Sequence, residues 1–159
     1  MKLETCHPRI KELLVMDAMH RGVFTCERED SLSEVAATMI RELVHCVVVE
    51  SGGGEAGPPW GIVSDLDLVA AASVRDLDDQ CAGGSAATPV VTVSPKETLE
   101  RAAQLMTEHN TAHLIVVGPR EQRPLGVLST LDIAASLVEP GAEVPPPTRS
   151  VSRGAREVR

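Results

Sequence analysis

The sequence predicts an α/β (α+β) fold made of two β-α-β-β-α repeats that pack on each other as a pseudo-twofold pair. The first observation is a duplicated string: residues 60–67 read Trp-Gly-Ile-Val-Ser-Asp-Leu-Asp, and residues 125–132 read Leu-Gly-Val-Leu-Ser-Thr-Leu-Asp. The second is that each copy follows the same succession of β-rich and helix-period segments. The third is length, because half of a 159-residue chain is too short to bury a comfortable core alone.

In the first repeat, the strongest element is a helix that begins after Ser31. Ser31 and Glu34 have the spacing of a capping box. The apolar residues that follow recur with helical period and predict an amphipathic helix: Leu32, Val35, Ala36, Met39, Ile40 and Leu43. Composition predicts the other elements: a short helix or turn at 10–19, strands at 23–26, 45–50 and 60–64, a flexible loop at 51–59, and a helix at 65–72.

The second repeat predicts the same order. Strands are expected at 90–93, 113–117 and 125–129, a loop at 118–124, and a last helix at 130–138. The first helix carries Leu99, Ala102, Ala103 and Met106 on one face, and its start is open between Ser94-Pro95 and Thr98. Offsets of 67 at Met39/Met106, 68 at His45/His113 and 65 at Ser64/Ser129 predict one residue added before the middle strand and three removed from the loop.

These elements predict a division of the chain into four parts. Residues 1–9 form a loose N-terminus, 10–75 the first repeat, 76–139 the second repeat, and 140–159 a tail. Polar, turn-prone residues at 73–87 join the repeats. The tail is rich in Pro and Arg and poor in apolar residues, which predicts a disordered, basic segment.

Composition excludes several function classes. A net charge of −8 disfavours nucleic-acid binding. The start lacks the apolar region of a signal peptide, and no apolar run approaches a membrane span, so a cytoplasmic protein without membrane contact is expected. The four cysteines are then expected to be reduced thiols. A P-loop, a GxGxxG string and a Ser-His-Asp set are all missing, which predicts a protein that is not an enzyme.

The ordered set of motifs resembles a tandem pair of CBS (cystathionine β-synthase-type) domains, also called a Bateman module. The resemblance covers about residues 10–138. It rests on the lead-in Val-Met-Asp-Ala-Met at 15–19, on Val-x-Thr at 23–25 and 90–92, on the spacing of Leu, Ala and Met in each first helix, and on Gly-x-x-Ser-x-x-Asp at the end of each repeat.

The resemblance implies a regulatory module that binds an adenosyl ligand, such as AMP, ADP, ATP or S-adenosylmethionine, in clefts between the repeats. In such families the motif Asp binds the ribose hydroxyls and the motif hydroxyl contacts ribose or phosphate. It implies these ligand-binding positions: Asp67 with Ser64, Asp132 with Ser129, backbone near Val23, Thr88 and Val90 for adenine, and apolar Val47 and Ile115 beside the ring. It also implies a homodimer formed through the Ala-rich helices that end the repeats.

The residues leave alternatives open beside that resemblance. A carboxylate accepts two hydroxyls and suits a cis-diol, yet Ser-x-x-Asp before a helix is also an ordinary cap. Basic candidates for phosphate are sparse (His20, Arg21, His45 and His113), which favours one phosphate or none. No resident metal is predicted, since the histidines lack zinc-type spacing. The rival functions are a ligand-free structural or interaction homodimer and, less favoured, a metal- or redox-responsive protein.

Overall fold

A computed structural model describes residues 8–52, 57–120 and 123–138. The predicted basic tail at 140–159 and most of the predicted loose N-terminus lie outside the described residues. Within those three ranges, no helix combines the length and the apolar character that a membrane crossing requires.

The described residues form a mixed α/β fold, which confirms the predicted class. The helices are α1 (Pro8–Glu12), α2 (Val15–Ala18), α3 (Leu32–Glu42), α4 (Asp65–Ala72), α5 (Ala82–Ser85), α6 (Leu99–His109) and α7 (Thr130–Leu137), with a 3₁₀ turn at Leu77–Asp79. The strands are β1 (His20–Arg21), β2 (Thr25–Cys26), β3 (Cys46–Val49), β4 (Gly61–Ser64), β5 (Thr92–Val93), β6 (His113–Val117) and β7 (Pro124–Ser129). The predicted lead-in helix is therefore two short helices, and the predicted first strands are two residues long.

Helix starts follow local capping. Ser31 accepts a hydrogen bond from the Glu34 N–H, and the Glu34 carboxylate accepts one from the Ser31 N–H, as the capping box predicts. At α6 the cap is Thr98, whose hydroxyl accepts from the Arg101 N–H. Ser94 instead closes a turn by accepting from the Lys96 N–H, so the helix begins at the later of the two candidate positions.

The two repeats are joined because the lead-in of each, the residues just before its first strand (β2 or β5), pairs with the sheet of the other repeat. The first repeat forms β2-β3-β4, and the second forms β1-β7-β6-β5. Strand β1 precedes β2, β3 and β4 of the first repeat in sequence, yet it pairs antiparallel with β7 of the second repeat, with His20 opposite Val127. The reciprocal contact is a bridge between Ala87 and Ile62 of β4. Each lead-in therefore lies at the edge of the other repeat's sheet.

The core has one cluster under each sheet and one between them. The cluster of the first repeat contains Leu32, Val35, Met39, Val47, Val49, Val63, Ala71 and Ala82. The cluster of the second repeat contains Val93, Leu99, Ala102, Met106, Leu114, Val116, Leu128 and Ile133, and Ile10 and Val15 of the exchanged lead-in join it. Between the sheets, Cys46, Val48 and Ile62 pack against Ile115. This third cluster holds the two repeats face to face.

The strand register corrects the predicted alignment of the repeats. Cys46 lies opposite Ser64, and His113 lies opposite Ser129. Since the two serines are equivalent, His113 corresponds to Cys46 and not to His45. The main-chain contact of His45 confirms this, because its carbonyl accepts from the Asp65 N–H as the Ala112 carbonyl accepts from the Thr130 N–H. The offset is therefore 67 through the middle strand, no residue is added there, and two residues are removed from the loop.

Candidate ligand-binding clefts between the repeats

The duplicated motif forms the same capping box at both strand-to-helix corners. At α4 the Oδ2 atom of Asp67 accepts from the Ser64 N–H at 2.7 Å and from the Ser64 hydroxyl at 2.7 Å. The Asp67 N–H in turn donates to Ser64 Oγ at 3.3 Å. At α7 the corresponding distances for Ser129 and Asp132 are 2.7, 2.8 and 3.2 Å. Capping therefore uses one oxygen of each carboxylate and leaves the other.

The second oxygen distinguishes the two copies. Oδ1 of Asp132 lies 2.9 Å from Nε2 of His20, which the exchanged β1 strand brings to this corner. Among the described residues, no side chain or N–H donates to Oδ1 of Asp67. Asp67 and Asp132 thus accept the same hydrogen bonds from their capping serines, but only Asp132 also has a histidine partner among the described residues.

The first cleft is the space between the Ser64–Asp67 corner and the lead-in of the second repeat. Its volume is about 690 Å³. The predicted residues Ser64, Asp67, Thr88, Val90 and His113 all line it. Its other walls include residues that the sequence did not single out, namely Ile62, Asp65, Ala87, His109, Asn110 and Thr111.

The second cleft is the pseudosymmetric space at the Ser129–Asp132 corner. Its volume is about 440 Å³. Seven of the predicted residues line it or reach it: His20, Arg21, Val23, His45, His113, Ser129 and Asp132. Its other lining residues, which the sequence did not single out, include Phe24, Glu42 and Val127. The tertiary fold therefore brings each motif Asp to the segment that leads into the other repeat. Asp67 lies near residues 87–92, and Asp132 lies near residues 20–24.

Val47 and Ile115 do not line either cleft, in contrast to the role predicted for them beside the ligand ring. Val47 is buried under α3 in the first-repeat core, and Ile115 lies between the two sheets. The sequence-based alignment was wrong by one residue and paired Val47 with Ile115. Because successive side chains on a strand point to opposite faces, these two residues lie on different sides of their sheets. The residue equivalent to Ile115 is Val48, since Thr25 pairs with Val48 as Thr92 pairs with Ile115.

His113 lies between the clefts and lines both. Burial lowers the pKa of its imidazole below the ordinary value, and the neighbouring His45 lowers this pKa further. The carboxylates of Asp65, Asp132 and Asp67 act in the opposite direction without reversing the shift. An uncharged His113 at neutral pH can donate one hydrogen bond and accept another, and it supplies no fixed charge for phosphate.

His45 faces the second cleft from outside the strand and is paired with a carboxylate. Its Nδ1 lies 2.9 Å from Oδ2 of Asp65. The hydrogen bond to His45 is the main reason that the pKa of Asp65 lies below its ordinary value. Both side chains are largely exposed, so the pair adds little to stability.

Cys26 and Cys46 lie in surroundings that disfavour a reactive thiolate. Burial raises the pKa of the Cys26 thiol to about 12, helped by Asp30 and Glu50. Burial and Asp65 raise the pKa of Cys46 to about 12 as well. A thiol with so high a pKa is a poor nucleophile. In the described part of the chain, no group of three or more His, Cys, Asp or Glu side chains has the arrangement of a metal site.

Comparison with known proteins identifies the family. A model of the CBS domain matches residues 11–74 and 84–139, which together make up more than half of the chain. The chain belongs to the CBS-domain family. Its two matched segments make it a CBS pair, in agreement with the resemblance seen in the duplicated motif.

Solved structures and one curated protein are similar to this CBS pair. The CBS-domain containing protein ATU1752 from Agrobacterium tumefaciens is 24% identical, with a TM-score of 0.67 over 81% of this chain and 98% of that one. The CBS domain pair of protein MJ0100, in complex with 5′-methylthioadenosine and S-adenosyl-L-methionine, is 22% identical, with a TM-score of 0.66 over 77% of this chain and 98% of that one. A homoserine O-acetyltransferase of Methanosarcina acetivorans is 27% identical over 128 residues, which are 79% of this chain and 22% of that protein. The CBS pair thus spans about a fifth of the length of this curated relative.

Proposed function

We propose that this CBS pair is a regulatory, non-catalytic module that binds an adenosyl ligand, with Asp67 holding the ribose in the first cleft. The observation that carries the proposal is Oδ1 of Asp67, which has no donor among the described residues and lies in a cleft of about 690 Å³. Capping occupies only Oδ2 of this carboxylate. A carboxylate has about four acceptor sites on its two oxygens, so capping and binding of a cis-diol are compatible.

The remaining walls of the first cleft suit the other parts of such a ligand. Apolar Ile62 and Val90 provide surface for an adenine ring, and Thr88 and Asn110 provide polar groups. The volume of about 690 Å³ is within the range of small-molecule sites. The crystallised complex of the MJ0100 pair with two adenosyl compounds supports this choice of ligand class.

Charge favours a ligand with few phosphates. Among the described residues that line the first cleft there is no Lys or Arg, and Asp65 and Asp67 both contribute negative charge. A triphosphate would meet repulsion there without a cationic partner. S-Adenosylmethionine, 5′-methylthioadenosine and adenosine are therefore favoured over ATP or ADP, with AMP as the intermediate case.

The test is ligand-induced stabilisation of the wild type and of Asp67→Asn. In this variant the amide oxygen still accepts from Ser64, so the cap persists, while the other position changes from an acceptor to a donor. A ligand at 100 times its dissociation constant for the first cleft stabilises the wild type by about 2.7 kcal/mol, and Asp67→Asn should lose this contribution and keep only that of the weaker second cleft. Asp79→Asn, which removes the same charge at an exposed site, should retain it. If no adenosyl compound stabilises the wild type, the proposed function is wrong.

A second candidate function, homodimerisation through the first repeat, has its own observation. A groove of about 450 Å³ between α3 and α4 is lined almost entirely by apolar side chains. Ile40, Leu43 and Val69 beside it are 76%, 86% and 68% exposed. The equivalent positions of the second repeat are Thr107, Asn110 and Ala134, so only one repeat presents this apolar face.

We propose that a second copy covers this face in a twofold contact between first repeats. In a twofold dimer the same patch of both copies forms the interface, so one apolar face per chain is enough to build it. Leu43→Asp should yield a monomer in sedimentation analysis, whereas Asn110→Asp on the second repeat should leave the dimer intact. A wild type that sediments as a monomer contradicts this proposal. A dimer without any adenosyl binding would favour the structural or interaction function.

A further inference from the structure

We infer that His20 weakens ligand binding in the second cleft, because its side chain occupies the position at Asp132 that a ribose would need. The first cleft is then the preferred site. This inference rests on the proposed function, because it concerns which of the two clefts accepts the adenosyl ligand. It assigns to His20 a role opposite to that of a phosphate ligand: the side chain competes with the ligand and does not hold it.

The contact geometry supports competition. Both oxygens of Asp132 are engaged, Oδ2 by the Ser129 N–H and hydroxyl and Oδ1 by His20 Nε2 at 2.9 Å. A ribose diol would have to approach the same Oδ1 atom at hydrogen-bond distance, where the imidazole ring now lies. The Asp132 side chain is only 11% exposed, so little of the carboxylate remains open to a ligand.

The first cleft provides the internal comparison. His20 lies opposite Val127, and Ala87 lies opposite Ile62. Val127 and Ile62 each stand two residues before the motif serine, so Ala87 is the structural equivalent of His20. A methyl group at this position cannot reach Asp67. The first cleft is also the larger one, at about 690 Å³ against about 440 Å³.

The contact is one that a ligand or a mutation can displace. The His20 side chain is 80% exposed, so rotation toward solvent costs little packing. Because His20 is largely exposed, we expect its contact with Asp132 to be no stronger than a surface pair, and a competing contact of that size lowers an apparent affinity by up to about fivefold. Steric exclusion of the ribose by the ring adds to that factor. We therefore expect both clefts to bind the ligand, with a lower affinity in the second cleft than in the first.

Each cleft can be isolated by inactivating the other motif carboxylate. In the Asp67→Asn background only the second cleft retains its ribose acceptor, and His20→Ala should tighten binding of 5′-methylthioadenosine about fivefold or more in isothermal titration calorimetry. His20→Gln keeps a donor that can reach Asp132 and should change the affinity less. In the Asp132→Asn background only the first cleft remains, and Ala87→His should weaken binding by a similar factor, because the exposed Ala87 leaves room for a ring directed at Asp67.

Several results would overturn the inference while leaving the proposed function intact. One is an unchanged second-cleft affinity in His20→Ala. Another is a loss of affinity for AMP in the same variant, which would make His20 a phosphate-binding residue. Equal affinities of the two clefts in the wild type would also contradict it. Absence of binding to 5′-methylthioadenosine, AMP and S-adenosylmethionine in the wild type and in all variants would overturn both the inference and the proposed function.

Discussion

The capping box at Ser64 allows the structural role of the duplicated motif to be measured apart from ligand binding. Ser64→Ala removes the 3.3 Å bond from the Asp67 N–H and the 2.7 Å bond from the hydroxyl to Oδ2. It leaves the 2.7 Å bond from the Ser64 N–H, which is main-chain. Loss of a serine cap costs about 1 kcal/mol, and the lost bond to a charged acceptor brings the expected decrease in unfolding free energy to about 1–2 kcal/mol.

Urea unfolding provides the measurement. With a slope of about 2 kcal/mol/M, the expected loss moves the midpoint down by roughly 0.5–1 M without a change of slope. Trp60 reports on the first repeat, since it packs on the first-repeat core with Arg28 over its ring at 4.1 Å. Ser64→Thr retains the hydroxyl and should stay within a few tenths of a kcal/mol of the wild type. A midpoint unchanged in Ser64→Ala, or lowered equally in Ser64→Thr, would refute the assignment of stability to this hydroxyl.

Three further predictions follow from burial, close approach and protonation. Leu99→Ala, at a fully buried site, should lower the unfolding free energy by about 2–5 kcal/mol in urea titration. Gly126→Ala would place a methyl against the His20 carbonyl, so we expect a loss of about 1–3 kcal/mol and faster amide exchange in β1. Because burial lowers the pKa of His113, the unfolded chain binds more protons, and stability should decrease as the pH falls below about 6.5. His113→Asn should reduce this dependence between pH 5 and 7.5, and an unchanged slope would contradict it.

Trp60 shows why closeness in sequence is a poor guide to a binding site. It directly precedes β4, whereas Ser64 ends that strand, and a strand rises about 3.3 Å per residue. The tryptophan therefore lies at the far end of the strand from the motif and is not among the residues that line the first cleft. Its fluorescence suits measurement of folding, and ligand binding is better followed by calorimetry.

The elements predicted most closely depend on local interactions. Ser31 caps α3, Ser64 caps α4 and Ser129 caps α7, because in each case the partner is three residues away and the bond is made within one helical turn. Helical period likewise predicted the buried residues Leu32, Val35 and Met39 of α3 and the buried face of α6. It was wrong for Ile40 and Leu43, which follow the same period but are exposed because no element of the described residues packs over that end of α3. The same local pattern left the function open, because capping occupies only one oxygen of each motif carboxylate.

The alignment of His45 with His113 failed for a physical reason. Both are histidines at the start of a strand, but pairing with β4 and β7 makes Cys46 the partner of His113. A β-strand carries a weak signal of its register, and a shift of one residue exchanges its two faces. Only pairing across the sheet shows that Val47 belongs to the core and that His113 lies between the clefts.

By itself the sequence determined that the chain is a duplicated α/β unit ending in a Ser-x-x-Asp corner, because periodicity, capping and repetition are all recorded along the chain. Only the tertiary structure decided that the two corners differ. The contact between His20 and Asp132 spans more than a hundred residues and exists because a two-residue strand crosses to the other repeat's sheet. Such pairing depends on the packing of both repeats, so no local pattern indicates which carboxylate is occupied and which is open.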